Sequence, residues 1–120
     1  MSTKILIIDD DADIRLIAGL FLRNTGNYEI HEAETAAEGL EQVRHQRPDL
    51  VILDFMLPDA QGDDLITTLL ETHPCKIIVL TARVDAELSQ RFTRLGAECV
   101  LHKPFNPEEF AVQVQKVLNG

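Results

Sequence analysis

The chain has 120 residues, 45% of them hydrophobic and 26% charged, which excludes a disordered polypeptide and fits a single domain spanning residues 1–120. Its 11 basic side chains stand against 20 acidic ones for a net charge of −9; no Lys/Arg run is present, so direct nucleic-acid binding is not expected and a protein partner with a basic surface is. No apolar run reaches the roughly 18 residues of a membrane span, and the start MSTKILIIDDD does not read as a signal peptide because its short apolar run meets acid, so the expected location is cytoplasmic.

Taken in chain order, residues 4–8 (KILII) read as a strand buried on both faces, because apolar residues follow one another without alternation. Residues 12–25 read as a helix with Ile14, Ile17, Ala18, Phe21 and Leu22 on one stripe and Gly26 as its stop. Residues 28–33 (YEIHEA) alternate, as an edge strand does. Thr35 and Glu38 form a capping box for a helix to about His45. Residues 49–53 (DLVIL) are a second buried strand, followed by a helix from about Asp63 to Thr72 carrying Leu65, Ile66, Leu69 and Leu70. Residues 76–80 (KIIVL) and 99–102 (CVLH) are further buried strands. The helix between them starts near Asp85, carries Leu88, Phe92 and Leu95, and ends at Gly96. Asn106, Pro107 and Glu109 open a last helix that buries Phe110, Val114 and Val117. Cys75 and Cys99 read as small buried hydrophobes in a reducing compartment. His31, His45, His73 and His102 are scattered over different elements and do not have zinc-site spacing.

Five strands alternating with five helices predict an α/β fold, (βα)5, with a doubly wound parallel sheet of order 2-1-3-4-5. Such sheets bind ligands at the carboxyl ends of their strands. The first strand ends in Asp9, Asp10 and Asp11, the third in Asp54, the fourth in Thr81, the fifth in His102 and Lys103. With strands about 4.8 Å apart, Asp54 has the first-strand acids on one side and Thr81 on the other. Lys103, two strands away at roughly 10 Å, has the length to reach back to Asp54. Asp9, Asp10 and Asp54 make a hard, oxygen-rich site suited to Mg²⁺, and the ion offsets their mutual repulsion. Asp11 and Asp13 read instead as acids in the first turn of a helix.

On these residues the chain resembles a receiver domain of two-component response regulators, similar to the single-domain chemotaxis-type receivers. The resemblance rests on Asp9-Asp10 after the first strand, Asp54 in DLVILDFMLP, Gly62, Thr81-Ala82 in VLTA and Lys103-Pro104-Phe105 in GAECVLHKPF, and it covers Lys4 to Leu118. It implies a flavodoxin-like fold and a signalling domain rather than an enzyme, apart from its own phosphoryl transfer and autodephosphorylation. It implies that Asp54 accepts a phosphoryl group from a phosphohistidine on a sensor histidine kinase or histidine phosphotransfer protein. Asp9, Asp10, Asp54 and the backbone carbonyl of Met56 would hold Mg²⁺, Thr81 and Lys103 would grip the phosphoryl oxygens, and the Lys103–Pro104 bond would be cis. The chemistry is coherent in itself, since a carboxylate is a competent nucleophile and phosphoryl transfer asks mainly for positioning and charge stabilisation.

The signal would pass to a face of helix 4, strand 5 and helix 5 carrying Glu87, Gln90, Arg91, Arg94, Val100 and His102, whose mixed charge suits an unknown downstream protein or a phosphorylation-linked dimer. Val100 stands where many receivers carry an aromatic residue, so switching here is expected to use the 81–88 loop and helix 4. Met56 and Arg83, beside the site, are neither acids nor amides that would orient an attacking water, and the phosphoryl group is expected not to be short-lived. Among rivals, Asp9-x-Asp11 resembles an Asp-nucleophile phosphatase, but that pattern wants Thr where Asp13 stands. A flavin phosphate would be repelled by DDDAD, and an EF-hand would need Gly at Ile14 and Glu at Leu20. A receiver-like module that binds partners without phosphorylation is a further alternative. The chain stops at Asn119-Gly120, just after the last helix, which fits a complete single-domain regulator or one part of a larger protein, and MSTK fits a natural start.

Overall fold

The computed structural model describes residues 3–83 and 85–120; Met1, Ser2 and Val84 fall outside, and with them part of the MSTK start and of the 81–88 loop. Five strands form one parallel sheet: β1 (Thr3–Ile8), β2 (Tyr28–Ala33), β3 (Leu50–Asp54), β4 (Lys76–Thr81) and β5 (Cys99–His102). Their order is β2-β1-β3-β4-β5, as expected. The helices are α1 (Ala12–Thr25), α2 (Ala36–Gln46), α3 (Gly62–Thr72), α4 (Ala86–Leu95) and α5 (Pro107–Asn119). A two-residue antiparallel ladder, Met56–Leu57 with Ala60–Gln61, stands apart from the sheet.

Side chains alternate across the sheet and build two cores. One face carries Leu6, Ile8, Val51, Leu53, Ile77 and Val79 against Val43, Ile66, Leu69 and Phe92 of α2, α3 and α4. The other carries Ile5, Ile7, Leu50, Ile52, Ile78 and Leu80 against Leu22 of α1 and Phe110 and Val114 of α5. This double burial explains the unbroken apolar runs. Asp54 continues the alternation of the α1/α5 face, and Thr81 that of the α4 face, so the two polar residues approach the strand ends from different layers.

Local signals set most boundaries. Asp11 is the N-cap of α1, its carboxylate accepting the Asp13 and Ile14 amides at 2.9 and 3.4 Å. Asp85 caps α4 and Asn106 caps α5. Gly96 ends α4 at φ 116°, a left-handed value that favours glycine.

Several expectations need correction. Ile17 is exposed along with Leu16 and Leu20; α1 buries the narrower stripe of Ala18, Gly19 and Leu22. Gly26 does end α1, but in extended backbone rather than a left-handed cap. Its lack of a side chain serves the Tyr28 ring, which would meet a Cβ at 2.6 Å. The capping box of α2 closes differently: Thr35 accepts the Glu38 amide, but Glu38 returns to the Glu34 amide. β5 is half-buried, as an edge strand is, and Cys75 and Cys99 are only partly buried against the two cores. Burial still pushes the Cys75 thiol up to about 11 and raises that of Cys99. Arg91 pairs with Asp63 of α3 at 3.1 Å.

Candidate functional site

Each strand end is tied to its neighbour by backbone bonds running one step past the ladder. The Asp9 amide donates to Ala33 O at 3.1 Å, the Phe55 amide to Leu80 O at 2.9 Å and the Lys103 amide to Thr81 O at 2.8 Å. These bonds fix where Asp9, Asp54 and Lys103 leave the sheet.

Among the described residues, Asp9, Asp54 and Thr81 are the buried polar ones, at 0%, 4% and 2% exposure, while Asp10 is exposed at the rim. Asp9, Asp10 and Asp54 each bring a carboxylate oxygen within 4.8 Å of the other two. Lys103 reaches into this group. Its Nζ stands 2.9 Å from Asp9 Oδ2 and 3.5 Å from Asp54 Oδ1. The expected reach to Asp54 is therefore present, with Asp9 as the nearer partner. Buried carboxylates this close cannot all stay charged without compensation. Burial, then the neighbouring Asp9 charge, push the Asp54 carboxyl up to about 6 against the pull of the Met56 amide and Lys103. Burial pulls the Lys103 ammonium down, but the bond to Asp9 and the two carboxylate charges outweigh it and leave it raised. The oxygen-only donor set, its excess negative charge and its partly open rim suit a small hard dication that keeps some of its water.

Thr81 does not cap α4, whose N-cap is Asp85. Its hydroxyl oxygen instead accepts the Arg83 amide at 3.2 Å, shaping the turn after β4. Beside it opens a cavity of about 520 Å³ between the loops after β3 and β4, lined by Phe55, Met56, Ala82, Arg83 and Leu88 among others. Met56 is 70% exposed, and its amide donates to Asp54 Oδ1 at 3.2 Å. Gly62 is needed for close approach, since a Cβ there would lie 2.6 Å from the Phe55 ring. That ring meets Phe92 edge-on at 5.1 Å. Val100 packs on the same core from β5. Lys103–Pro104 is cis.

Two further residues were not singled out by sequence reasoning. Arg15 donates from its guanidinium to the Asp9 carbonyl at 2.7 Å and to Glu32 Oε1 at 3.2 Å, clamping the end of β1. Asp59 accepts the Ala36 and Ala37 amides at 2.8 and 3.1 Å. Nothing near either residue in the chain announces these partners, which lie 6 to 23 positions away.

A sequence model of the response regulator receiver domain matches residues 5–115. The chain belongs to this family. Receiver domains are the phosphorylation-activated switches of two-component signalling. This receiver is 37% identical over 119 residues to regulatory protein VanR of Enterococcus faecium, across 98% of this chain and 51% of that protein. It is 33% identical over 116 residues to transcriptional regulatory protein ResD of Bacillus subtilis, across 97% and 48% respectively. The receiver thus spans about half the length of the curated relatives it matches. Among solved structures, it resembles a CheY-like receiver domain protein of Methanospirillum hungatei JF-1 (TM-score 0.90, 31% identity, 99% of this chain and 95% of that one). It also resembles the chemotaxis protein CheY4 of Vibrio cholerae (TM-score 0.90, 30% identity, 98% and 100%). The (βα)5, flavodoxin-like fold is the one these relatives share. Among the described residues, no helix is long and apolar enough to cross a membrane.

Proposed function

We propose that Asp54 is the phospho-acceptor of this receiver, and that the chain acts as one switching domain over residues 1–120. The observation that carries the reading is the position of Lys103 Nζ, 2.9 Å from Asp9 and 3.5 Å from Asp54, inside a triad of carboxylates. A partly buried cation beside a carboxylate nucleophile is what transfer of an anionic group needs.

In the proposed reaction an Asp54 carboxylate oxygen attacks the phosphorus of a phosphohistidine. The oxygen–phosphorus bond forms, the phosphorus–nitrogen bond breaks, and the imidazole leaves with its electron pair and takes up a proton. Lys103 and the Thr81 hydroxyl receive the equatorial oxygens. Asp9, Asp10, Asp54 and the Met56 carbonyl would hold Mg²⁺, which supplies positive charge for the phosphoryl oxygens when bound. The donor would be a sensor histidine kinase or a histidine phosphotransfer protein in the cytoplasm. The domain is a signalling component rather than an enzyme with a turnover substrate of its own. The added charge, about −1.5 to −2, draws Thr81 inward and biases α4, β5 and α5, where Glu87, Gln90, Arg94 and His102 are exposed to a downstream protein or a second copy. With Val100 rather than an aromatic side chain on β5, the response is carried by the turn after β4 and by α4.

Intact mass after incubation with Mg²⁺ and acetyl phosphate tests the acceptor. A gain of about 80 Da, one phosphoryl group, is expected in the wild type, absent in Asp54→Asn and lost with EDTA. An equal gain in the variant would reassign the acceptor. No gain at all would favour a module that binds its partner without phosphorylation.

A further inference from the structure

Asp59 stands at the tip of the small hairpin in which Met56 pairs with Gln61 and Leu57 with Ala60. A ladder that short does not hold itself in place. Yet the hairpin carries the Met56 amide that bonds Asp54, and the Met56 carbonyl assigned to the metal. Its base is held by the Phe55 amide on Leu80 O and by the Phe55 ring against Phe92. Its tip is held across the sheet, where Asp59 Oδ1 accepts the Ala36 amide and Oδ2 the Ala37 amide. These are first-turn donors of α2, where a carboxylate is also favoured by the helix dipole.

The helix that receives this bond is itself seated tightly. At Gly39, α2 lies so near β1 that a Cβ would come within 2.5 Å of Ile8 Cδ1. Ile8 directly precedes Asp9 and Asp10. The hairpin with Met56 and the strand with the two other acids are therefore referenced to one rigid unit, through Asp59.

We propose that Asp59 is a positioning residue for phosphoryl transfer: its two-oxygen bond to the start of α2 holds the hairpin tip, and so sets the Met56 backbone against Asp9, Asp10 and Asp54. This rests on the reading that those groups hold Mg²⁺.

Calorimetric Mg²⁺ titration of the full chain tests it, with Asp59→Ala, Asp59→Asn, Thr35→Ala and Asp10→Asn alongside the wild type. Thr35→Ala removes a cap from the same helix without touching the hairpin, so it separates the tether from mere helix stability. Asp59→Ala is expected to weaken Mg²⁺ binding by about three- to tenfold, less than removal of a direct partner of a metal ligand. Asp59→Asn, which keeps one acceptor oxygen, should recover part of it. Thr35→Ala should lower the melting temperature and leave the affinity within about twofold of the wild type. In metal-free protein, amide exchange at residues 56–61 should quicken in Asp59→Ala and not in Thr35→Ala. Wild-type affinity in Asp59→Ala, or equal weakening in Thr35→Ala, would overturn the proposal. If Asp10→Asn weakens binding and Asp59→Ala does not, the tether alone fails. If Asp10→Asn binds as the wild type does, the acid cluster is not the metal site and both readings fail.

Discussion

Asp54 holds its charge at a cost to the fold. Its carboxyl is raised to about 6 from the usual 3.8, so the folded state disfavours the ionised form. The penalty is fully present above about pH 6, fades as pH falls toward 4 and is absent below that. The shift is equivalent to at most ~3 kcal/mol, and solvent at the open rim reduces this to about 1–2 kcal/mol. Asp54→Asn should therefore raise stability by that amount at pH 7.5 in EDTA, and by little at pH 4; urea titrations at the two pH values check it. Saturating Mg²⁺ should shrink the gain, since the ion offsets the same repulsion. At this scale the sequence carried much of the candidate site. Acids, a hydroxyl and a lysine at the ends of buried strands converge once the sheet is parallel with the order 2-1-3-4-5. The preference of Lys103 for Asp9 over Asp54 was not legible, because strand spacing fixes reach and not the rotamer. Asp59 and, in its shorter bond, Arg15 were invisible for a related reason: both bond backbone groups, which have no residue identity to read.

Among the elements, α4 is the least anchored helix. Phe92 is its one fully buried side chain, whereas α3 buries Leu65, Ile66 and Leu69. Phe92→Ala should cost about 3–5 kcal/mol, measurable by denaturant unfolding. In the wild type, amides of α4 should exchange before those of α3, through local opening. That ordering suits a helix that, in the proposed switch, shifts when Thr81 moves. Gly96→Ala, forced to φ 116° with Leu70 Cδ1 2.6 Å from the new methyl, should cost at least about 1–2 kcal/mol. Strands and helices were legible because burial on both faces leaves unbroken apolar runs, and caps mark the helix starts. What failed was partner-dependent. The exposure of Ile17 follows from how little of α1 the sheet covers. The end of α2 at Arg47, left-handed at φ 50° without glycine, has no signature in the chain.

For the whole molecule, a net charge of −9 makes the metal-free domain self-repelling, with three acids of the excess gathered at one end of the sheet. Mg²⁺ at a hundred times its Kd should stabilise the fold by about 2.7 kcal/mol, seen as a higher melting temperature that EDTA reverses. Asp54→Asn and Asp10→Asn should both reduce that increment. A phosphoryl group adds about −1.5 to −2 charges to the same end, so the modified state should depend on Mg²⁺ for its stability more steeply than the unmodified one.

Asp9 and Lys103 stand 94 positions apart in the chain. During synthesis the ribosome therefore releases the acids long before it makes their cation. A nascent chain that ends between Asp54 and Lys103 holds the proposed acceptor and its acidic neighbours without the lysine proposed to steady a phosphoryl group. On the proposed reading, competence to hold a phosphoryl group arrives only once the chain has passed the last strand.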